Sequence, residues 1–206
     1  MSGAGGSYTL VVDLAADATL SAGALGERDL PAGTYAYTGS ALGSGGFSRV
    51  GRHRRTARGE HDVRHWHVDY LLGHPAARID RVVRSVGVDV ECPVAERLPA
   101  GPMDGFGASD CGCPTHLAAG DGYNTGGGNS RAGDERADAL DALAERALAA
   151  HEAAVAETDD PEATVERGID GASVVWDDPD NLPSDAELAD PSLWLARVGE
   201  CVHCGL

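Results

Sequence analysis

Short apolar runs separated by turn-forming residues follow one another over the first 120 positions. Residues 7–14 (SYTLVVDL) and 34–38 (TYAYT) are rich in β-branched and aromatic side chains, which is typical of strands. Residues 79–86 are rich in valine and isoleucine, interspersed with charged side chains, and predict a third strand. Glycine and proline at residues 31–33 predict a turn into the second strand. The pattern therefore predicts a small, mainly antiparallel three-stranded sheet.

Helical patterns lie between and after these strands. A glycine-rich segment at residues 39–46 precedes a predicted helix at 48–58, and a second helix is expected to begin at residue 65. Residues 92–98 carry proline in the first turn, a position that helices tolerate. Residues 134–157 are rich in alanine and place their leucines along one side. The sequence thus predicts an α/β fold whose sheet is flanked by helices.

Net charge divides the chain into two parts. Residues 1–120 hold 11 arginines and 13 acidic residues, whereas residues 121–206 hold 5 arginines and 20 acidic residues. We therefore expect a domain over residues 1–120, a glycine-rich linker over 121–133, and an acidic, partly helical extension over 134–206 that ends in C-x-x-C. The basic residues are all arginine, and such an acidic, lysine-free composition is typical of a salt-loving organism. The sequence has neither an apolar run of membrane-spanning length nor a signal-peptide pattern, so we expect a cytoplasmic protein without membrane contact.

Positive charge is concentrated in one segment of this acidic chain. Residues 33–67 contain six arginines and end in His-Trp-His. Such a cluster indicates an anionic partner, and we expect nucleic acid, with a solvated surface as the alternative reading of any charge run. The candidate nucleic-acid-binding residues are Arg52, Arg54, Arg55, Arg58, His65 and His67.

A series of motifs occurs in a fixed order in the first 120 residues. In chain order they are Gly6-Ser7-Tyr8, Tyr37-Thr38-Gly39-Ser40-Ala41, Arg49 with His53, His65-Trp66-His67-Val68-Asp69-Tyr70, Glu91-Cys92 with Glu96, Phe106-Gly107, and Ser109-Asp110-Cys111-Gly112-Cys113 with His116. In this combination the region resembles a prokaryotic family of unknown function in the GIY-YIG endonuclease superfamily. With its acidic, lysine-free composition, the chain resembles a haloarchaeal member of that family. The resemblance does not extend to residues 121–206.

The resemblance implies a metal-dependent DNA endonuclease with a GIY-YIG-like fold, acting in DNA repair, with DNA and a repair protein as partners. It implies that Tyr8 and Tyr37 orient or deprotonate water, that Arg49 binds the scissile phosphate, and that Glu96 holds Mg²⁺ or Mn²⁺. The planar guanidinium of arginine matches a phosphate, and a hard metal prefers carboxylate oxygen. The implied catalytic residues are Tyr8, Tyr37, Arg49, His53 and Glu96.

Several alternatives stay open. Glu91 and Asp69 are rival ligands for the divalent metal, and the Gly-Thr-Tyr at residues 33–35 is a rival to the first tyrosine motif. A non-catalytic nucleic-acid-binding module on the same fold would need the phosphate-binding residues alone. A zinc metallohydrolase would use the string His65, His67 and Asp69. On a helix, however, His65 lies beside Asp69 and His67 turns away.

The five cysteines form two tight pairs and one isolated residue. This arrangement suits a reducing compartment and metal binding better than a disulfide framework. One pair lies near a histidine, the other belongs to the terminal C-x-x-C, and the two halves could combine into one structural zinc site. The candidate zinc ligands are Cys111, Cys113, His116, Cys201 and Cys204. We expect Cys92 to be a buried thiol.

Overall fold

The computed structural model of the chain describes residues 5–121 and 133–169. Its strands are β1 Gly6–Leu14, β2 Ala18–Ser21, β3 Glu27–Leu30, β4 Gly33–Ser40, β5 Ala77–Val86, β6 Leu117–Ala119 and β7 Thr164–Ile169. Its helices are α1 Ser48–Ala57, α2 His67–Leu72, α3 Glu91–Arg97 and α4 Gly133–Ala156. The structure is therefore a mixed α/β fold, as the sequence predicts.

The main sheet is antiparallel throughout, with the strand order β6-β4-β1-β5-β7. The strands β2 and β3 form a separate two-stranded sheet. In the pairing of β1 with β4, Tyr8 lies opposite Gly39 and Leu10 lies opposite Tyr37. This register brings the two motif tyrosines onto neighbouring strands with their side chains on the same face.

The prediction of three strands is wrong, because the described main sheet has five. The three expected strands are β1, β4 and β5, and β6 and β7 extend the sheet at its two edges. The strand β6 has only three residues, too few to show an alternating pattern. The strand β7 lies in the acidic half of the chain, where charged residues interrupt the apolar pattern. Both strands are stabilised by pairing with a partner strand.

Two apolar clusters lie on opposite faces of the sheet. One includes Tyr8, Leu10 and Tyr37 and packs against α1, α2 and the two-stranded sheet. The other includes Val11 and Ala36 and packs against α3 and α4. Because side chains alternate along a strand, the fully buried strand β1 contributes to both clusters.

Part of the expected C-terminal extension packs against the sheet. The helix α4 buries Leu140 and Leu143 in the second apolar cluster. An ion pair between Arg81 and Asp141 also joins α4 to β5, and β7 pairs with β5 along its length. Residues 133–169 therefore share a core with residues 5–121, and residues 170–206 lie outside the described residues.

The predicted helices at α1, α3 and α4 are confirmed to within one residue at each end. The second helix begins later than expected, because Trp66 is extended and forms its N-cap. His65 therefore lies before α2 rather than in it. Within the described residues, no helix combines the length and apolarity that crossing a membrane requires.

Candidate functional site

A chain of three buried side chains connects the sheet to two helices. The hydroxyl of Tyr8 on β1 lies 2.8 Å from Nε2 of His53 on α1. Nδ1 of the same imidazole lies 2.9 Å from Oδ1 of Asp69 on α2. All three side chains are fully buried or nearly so. The arrangement links a phenol, an imidazole and a carboxylate by hydrogen bonds, away from bulk water.

The ionisation of Asp69 fixes the direction of these hydrogen bonds. Burial alone would raise the pKa of this carboxyl, but hydrogen bonds from His53 and from the backbone N–H groups of His65 and Trp66 outweigh burial and lower the pKa to about 2. The carboxylate is thus charged at neutral pH and can only accept. Nδ1 of His53 must therefore carry a proton and donate it to Oδ1.

The free lone pair of the imidazole then belongs to Nε2. Burial lowers the pKa of His53 despite the neighbouring carboxylate of Asp69, so the ring is neutral at neutral pH. A neutral imidazole with a proton on Nδ1 accepts at Nε2. The hydroxyl of Tyr8 is therefore the donor, and His53 is placed to receive its proton.

Both motif tyrosines are held in the neutral form. Burial raises the pKa of Tyr8 well above its ordinary value, and the nearby Tyr37 raises it further. Burial also raises the pKa of Tyr37, with the carboxylate of Glu91 as the next cause. The guanidinium of Arg49 opposes both shifts, so this positive charge lies close to both phenols. Tyr8 can pass a proton along its hydrogen bond but does not rest as a phenolate.

The absence of a side chain at Gly39 makes room for the Tyr8 hydroxyl. A Cβ atom at this position would lie 2.7 Å from the hydroxyl oxygen and 3.1 Å from the ring of Tyr37. The first separation is much shorter than a van der Waals contact. The glycine of the second motif is thus required by the packing of the two tyrosines.

We expect Gly39→Ala to destabilise the fold by about 1–2 kcal/mol, because the added methyl group must displace a buried tyrosine ring. Gly43→Ala is the matched control, since its Cβ would meet only an Arg49 nitrogen at 3.9 Å. Chemical denaturation of the two variants and the parent measures the difference. Equal free energies of unfolding for both variants would contradict the close packing at Gly39.

A cleft of about 330 Å³ is lined by Arg49, the residue whose charge acts on both tyrosines. The glycine-rich turn before α1 forms one side, and the first residues of α1 contribute the positive end of the helix dipole. The ring of Trp66 forms another side, with the guanidinium carbons of Arg49 and Arg52 at 4.5 and 3.5 Å from its centre. The lining residues are Gly43, Ser44, Gly45, Gly46, Ser48, Arg49, Arg52, Arg55 and Trp66. This combination of three guanidinium groups and a helix N-terminus suits an anion.

The other arginines of the basic segment do not line this cleft. Arg54 and Arg58 are absent from its lining, and Arg58 forms an ion pair with Glu60 at 3.4 Å. His65 is exposed and packs its ring against Trp66. Nδ1 of His67 accepts a hydrogen bond from a backbone N–H of a neighbouring loop at 2.9 Å. Of the expected nucleic-acid-binding residues, Arg52 and Arg55 therefore lie in the cleft itself.

The three carboxylates considered for a divalent metal have different surroundings. Glu96 is exposed and has no hydrogen-bond or ion-pair partner among the described residues. Asp69 is saturated by its contacts with His53, Arg52 and two backbone N–H groups. Glu91 lies close enough to Tyr37 for its charge to raise the pKa of that phenol. Of the two glutamates of α3, Glu91 is thus the one whose charge acts on the tyrosines.

Four potential metal ligands lie together next to this site. The ligand atoms of Cys92, Cys111, Cys113 and His116 all lie within 4.8 Å of one another, so this cluster could hold a metal ion. Cys92 is half-buried rather than the fully buried thiol expected from the sequence. It belongs to α3, distant in sequence from the other ligands, and no spacing motif connects it to them. The expected ligands Cys201 and Cys204 lie outside the described residues.

The described structure does not bring His65, His67 and Asp69 together as a group of metal ligands. Among the described residues, the cysteine cluster is the only group of three or more candidate ligands that lie close together. The pairing of Asp69 with His53 is not predicted from the sequence, in which Asp69 is a candidate metal ligand. One signal in the sequence could have indicated a structural role for it. An acidic residue three positions after a helix cap accepts backbone hydrogen bonds, as Asp69 does from Trp66.

A comparison with protein families finds a match that covers the residues of this site. The model of a domain of unknown function, DUF123, matches residues 7–126, more than half of the chain. No curated protein and no solved structure matches the chain. The matched range includes the Tyr8–His53–Asp69 hydrogen bonds, the arginine-lined cleft and the cysteine cluster.

Proposed function

We propose that this chain, which belongs to the DUF123 family of domains of unknown function, is a metal-dependent DNA endonuclease of the GIY-YIG type. The observation that carries the proposal is the hydrogen-bonded chain Tyr8–His53–Asp69 beside the guanidinium of Arg49. Phosphodiester hydrolysis requires a phosphate site, a proton acceptor for water and stabilisation of developing negative charge. The described residues offer groups suited to each requirement.

The arginine-lined cleft is suited to a DNA backbone. Arg49, Arg52 and Arg55 follow one another at three-residue intervals on α1, so their side chains leave the helix on one side. Stacking on Trp66 restricts the motion of two of these guanidinium groups, as do the hydrogen bonds of Arg49 to the Ser40 carbonyl and of Arg52 to Asp69. Their remaining N–H groups are suited to phosphate oxygens. Phosphate contacts of this kind fix position without reading sequence. We therefore propose DNA recognised through its backbone as the substrate.

The buried hydrogen bonds supply the proton acceptor. In the proposed step, a water oxygen attacks phosphorus, and its proton passes to the Tyr8 hydroxyl as that hydroxyl gives its own proton to Nε2 of His53. The P–O bond to the leaving oxygen breaks, and that oxygen takes the electron pair. The charge that appears on His53 is stabilised by the ionised Asp69 at 2.9 Å. Arg49 faces the negative charge that develops on the phosphate.

The resemblance to this superfamily implies a divalent metal, and the fit of a metal differs between the two glutamates. Oε1 of Glu91 accepts a hydrogen bond from His116 at 3.1 Å, and Oε2 has no partner among the described residues. A carboxylate oxygen of this kind suits Mg²⁺ or Mn²⁺, which would stabilise negative charge on the leaving oxygen. We therefore place the metal at Glu91 instead of Glu96. The neighbouring cysteine cluster is unsuited to these hard ions.

A second candidate is a nucleic-acid-binding module that does not cleave. The observation that favours it is the single free carboxylate oxygen at Glu91, because a cleaving metal normally has firmer support from the protein. Such a module would use the arginine-lined cleft in the same way. The acidic, lysine-free composition supports a salt-rich cytoplasm as the setting of either activity. We also propose that the activity serves DNA repair and that a repair protein is a partner.

Cleavage of labelled nicked or branched DNA with Mg²⁺ or Mn²⁺ tests the proposal. We expect Arg49→Ala to lower cleavage by about 10- to 100-fold through loss of charged hydrogen bonds to phosphate. We expect Glu91→Gln to lower cleavage while DNA affinity is retained, and Glu96→Gln to do neither. Arg78→Ala is the control, because that arginine is 71% exposed and pairs with Asp13, away from the cleft.

Three outcomes are distinguishable in these assays. Cleavage that falls in Arg49→Ala and Glu91→Gln but not in the controls supports the nuclease. Arg49-dependent binding with no cleavage by any divalent metal supports the binding module instead. Equal DNA affinity of the parent and Arg49→Ala would exclude both. Each assay needs a series of salt concentrations, because phosphate contacts weaken steeply as salt rises.

A further inference from the structure

We propose that Cys92, Cys111, Cys113 and His116 bind a structural Zn²⁺ ion that fastens the loop at residues 107–116 to α3. The four ligand atoms already lie within 4.8 Å of one another. Three thiols and one imidazole are a standard ligand set for structural zinc, and four protein ligands leave no open position for substrate. The ion would thus act in folding rather than in chemistry.

The distances within the cluster match tetrahedral coordination. Zinc bonds of about 2.3 Å to sulfur and about 2.0 Å to nitrogen place a sulfur and a nitrogen roughly 3.5 Å apart. Nε2 of His116 lies 3.4 Å from Sγ of Cys111 and 3.9 Å from Sγ of Cys92. The mutual separations of the four ligand atoms, all within 4.8 Å, are thus compatible with one central ion.

The orientation of the histidine is fixed by a carboxylate. Oε1 of Glu91 lies 3.1 Å from Nδ1 of His116, which holds the proton on that nitrogen. The lone pair of Nε2 then points towards the thiols. Metal-binding histidines usually have such a carboxylate partner on their second nitrogen. This contact is independent of the thiol cluster and supports the same assignment.

The ligand types select zinc over the other divalent ions. Thiolates favour Zn²⁺ strongly over Mg²⁺, Ca²⁺ and Mn²⁺, and zinc accepts tetrahedral geometry without strain. The C-x-C spacing of Cys111 and Cys113 is too tight to span a site alone. Cys92 on α3 supplies the sulfur from another element and connects two segments of the chain through the ion. The terminal C-x-x-C is not needed.

The loop that carries three of the ligands also packs on a motif tyrosine. A Cβ atom at Gly107 would lie 2.7 Å from the ring of Tyr37 and 3.2 Å from Cβ of His116. The N–H of Gly107 donates to His67 at 2.9 Å. An ion that fixes this loop therefore also fixes the loop residues that contact the ring of Tyr37. An effect of the zinc ion on DNA cleavage through Tyr37 rests on the proposed function. The zinc site itself rests on the geometry of its ligands alone.

The test uses the full chain, purified under reducing conditions and supplied with Zn²⁺, followed by measurement of bound metal. We expect one equivalent of zinc in the parent and in the double variant Cys201→Ser/Cys204→Ser. We expect no tightly bound zinc in Cys92→Ser or Cys113→Ser. Replacement of the bound Zn²⁺ by Co²⁺ in the parent is expected to give the visible absorption of a tetrahedral ion. A charge-transfer band for three thiolates is expected as well.

Retention of zinc in Cys92→Ser with loss in the C-x-x-C double variant would overturn the assignment, as would absence of zinc from the parent. The Co²⁺ spectrum is read on the parent alone, so the test survives if a cysteine variant fails to fold. A spectrum of an octahedral ion without thiolate charge transfer would also overturn it. Metal content is independent of DNA cleavage, so failure of the nuclease proposal leaves this result readable.

Discussion

Replacement of His53 by glutamine is expected to lower the rate of DNA cleavage by about 10²- to 10⁴-fold, the usual contribution of a positioned general base. Glutamine fills a similar volume and can donate to Asp69, but it cannot accept a proton from Tyr8. Tyr8→Phe removes the donor at the other end of the same hydrogen bond and should cause a loss of the same order. Single-turnover cleavage rates at saturating DNA measure both variants, and His74→Gln is the control.

The pH dependence of cleavage distinguishes a base from a structural residue. His53 acts as an acceptor only when neutral, and burial lowers its pKa below the ordinary 6.5. The rate of the parent should therefore be constant around neutral pH and fall on acidification at a point below 6.5. In His53→Gln this fall should disappear. DNA affinity should change little in either variant, because neither residue lines the cleft.

Two findings would contradict the role of this hydrogen-bonded chain. One is a cleavage rate in His53→Gln close to that of the parent. The other is a loss of DNA binding as large as the loss of cleavage in Tyr8→Phe, which would indicate a structural role. The effects of the two substitutions should also be non-additive in the double variant, since both interrupt one proton path.

The central strands were predictable because their own side chains carry the signal. β1 and β4 combine β-branched and aromatic residues with turn residues at their ends, and both are buried. The edge strands β6 and β7 form because a neighbouring strand offers unpaired backbone groups, which a local pattern does not report. The same holds for α4, whose alanine-rich surface predicted a helix but not the sheet face that it covers.

The site was predictable in part, for a related reason. Tyr8 and Tyr37 face each other through the register of two strongly patterned strands, with ring centres 6.5 Å apart. The choice between Glu91 and Glu96 depends on the rotation of α3 about its axis, and five residues turn a helix by about 140°. One glutamate must therefore face away when the other faces the tyrosines. The sequence of α3 does not show which, because each glutamate directly follows an apolar residue, Val90 or Ala95.

The stability of the fold should fall as the pH drops from about 6.5 to about 4, by about 3 kcal/mol from His151 alone. This histidine of α4 is fully buried, with Nε2 at 2.9 Å from Thr9 Oγ1 and Nδ1 at 2.7 Å from Ser85 Oγ. Burial lowers its pKa to about 4. Because the unfolded chain takes up the proton first, the stability contribution is complete above 6.5 and decreases towards the folded pKa.

Chemical denaturation at a series of pH values and constant ionic strength measures this slope. His151→Gln removes the titrating group and should reduce the slope between pH 6.5 and 4, leaving the part that the lowered pKa values of His53 and His67 cause. His65→Gln is the matched control, because that side chain is exposed. The contribution of Asp69 is lost as the pH falls from its ordinary pKa of 3.8 to about 2, so its share of acid unfolding begins at the acid end of this window and continues below it. An unchanged slope in His151→Gln would mean that α4 does not bury His151 against the sheet. Residues 133–169 would then pack less tightly on residues 5–121 than described.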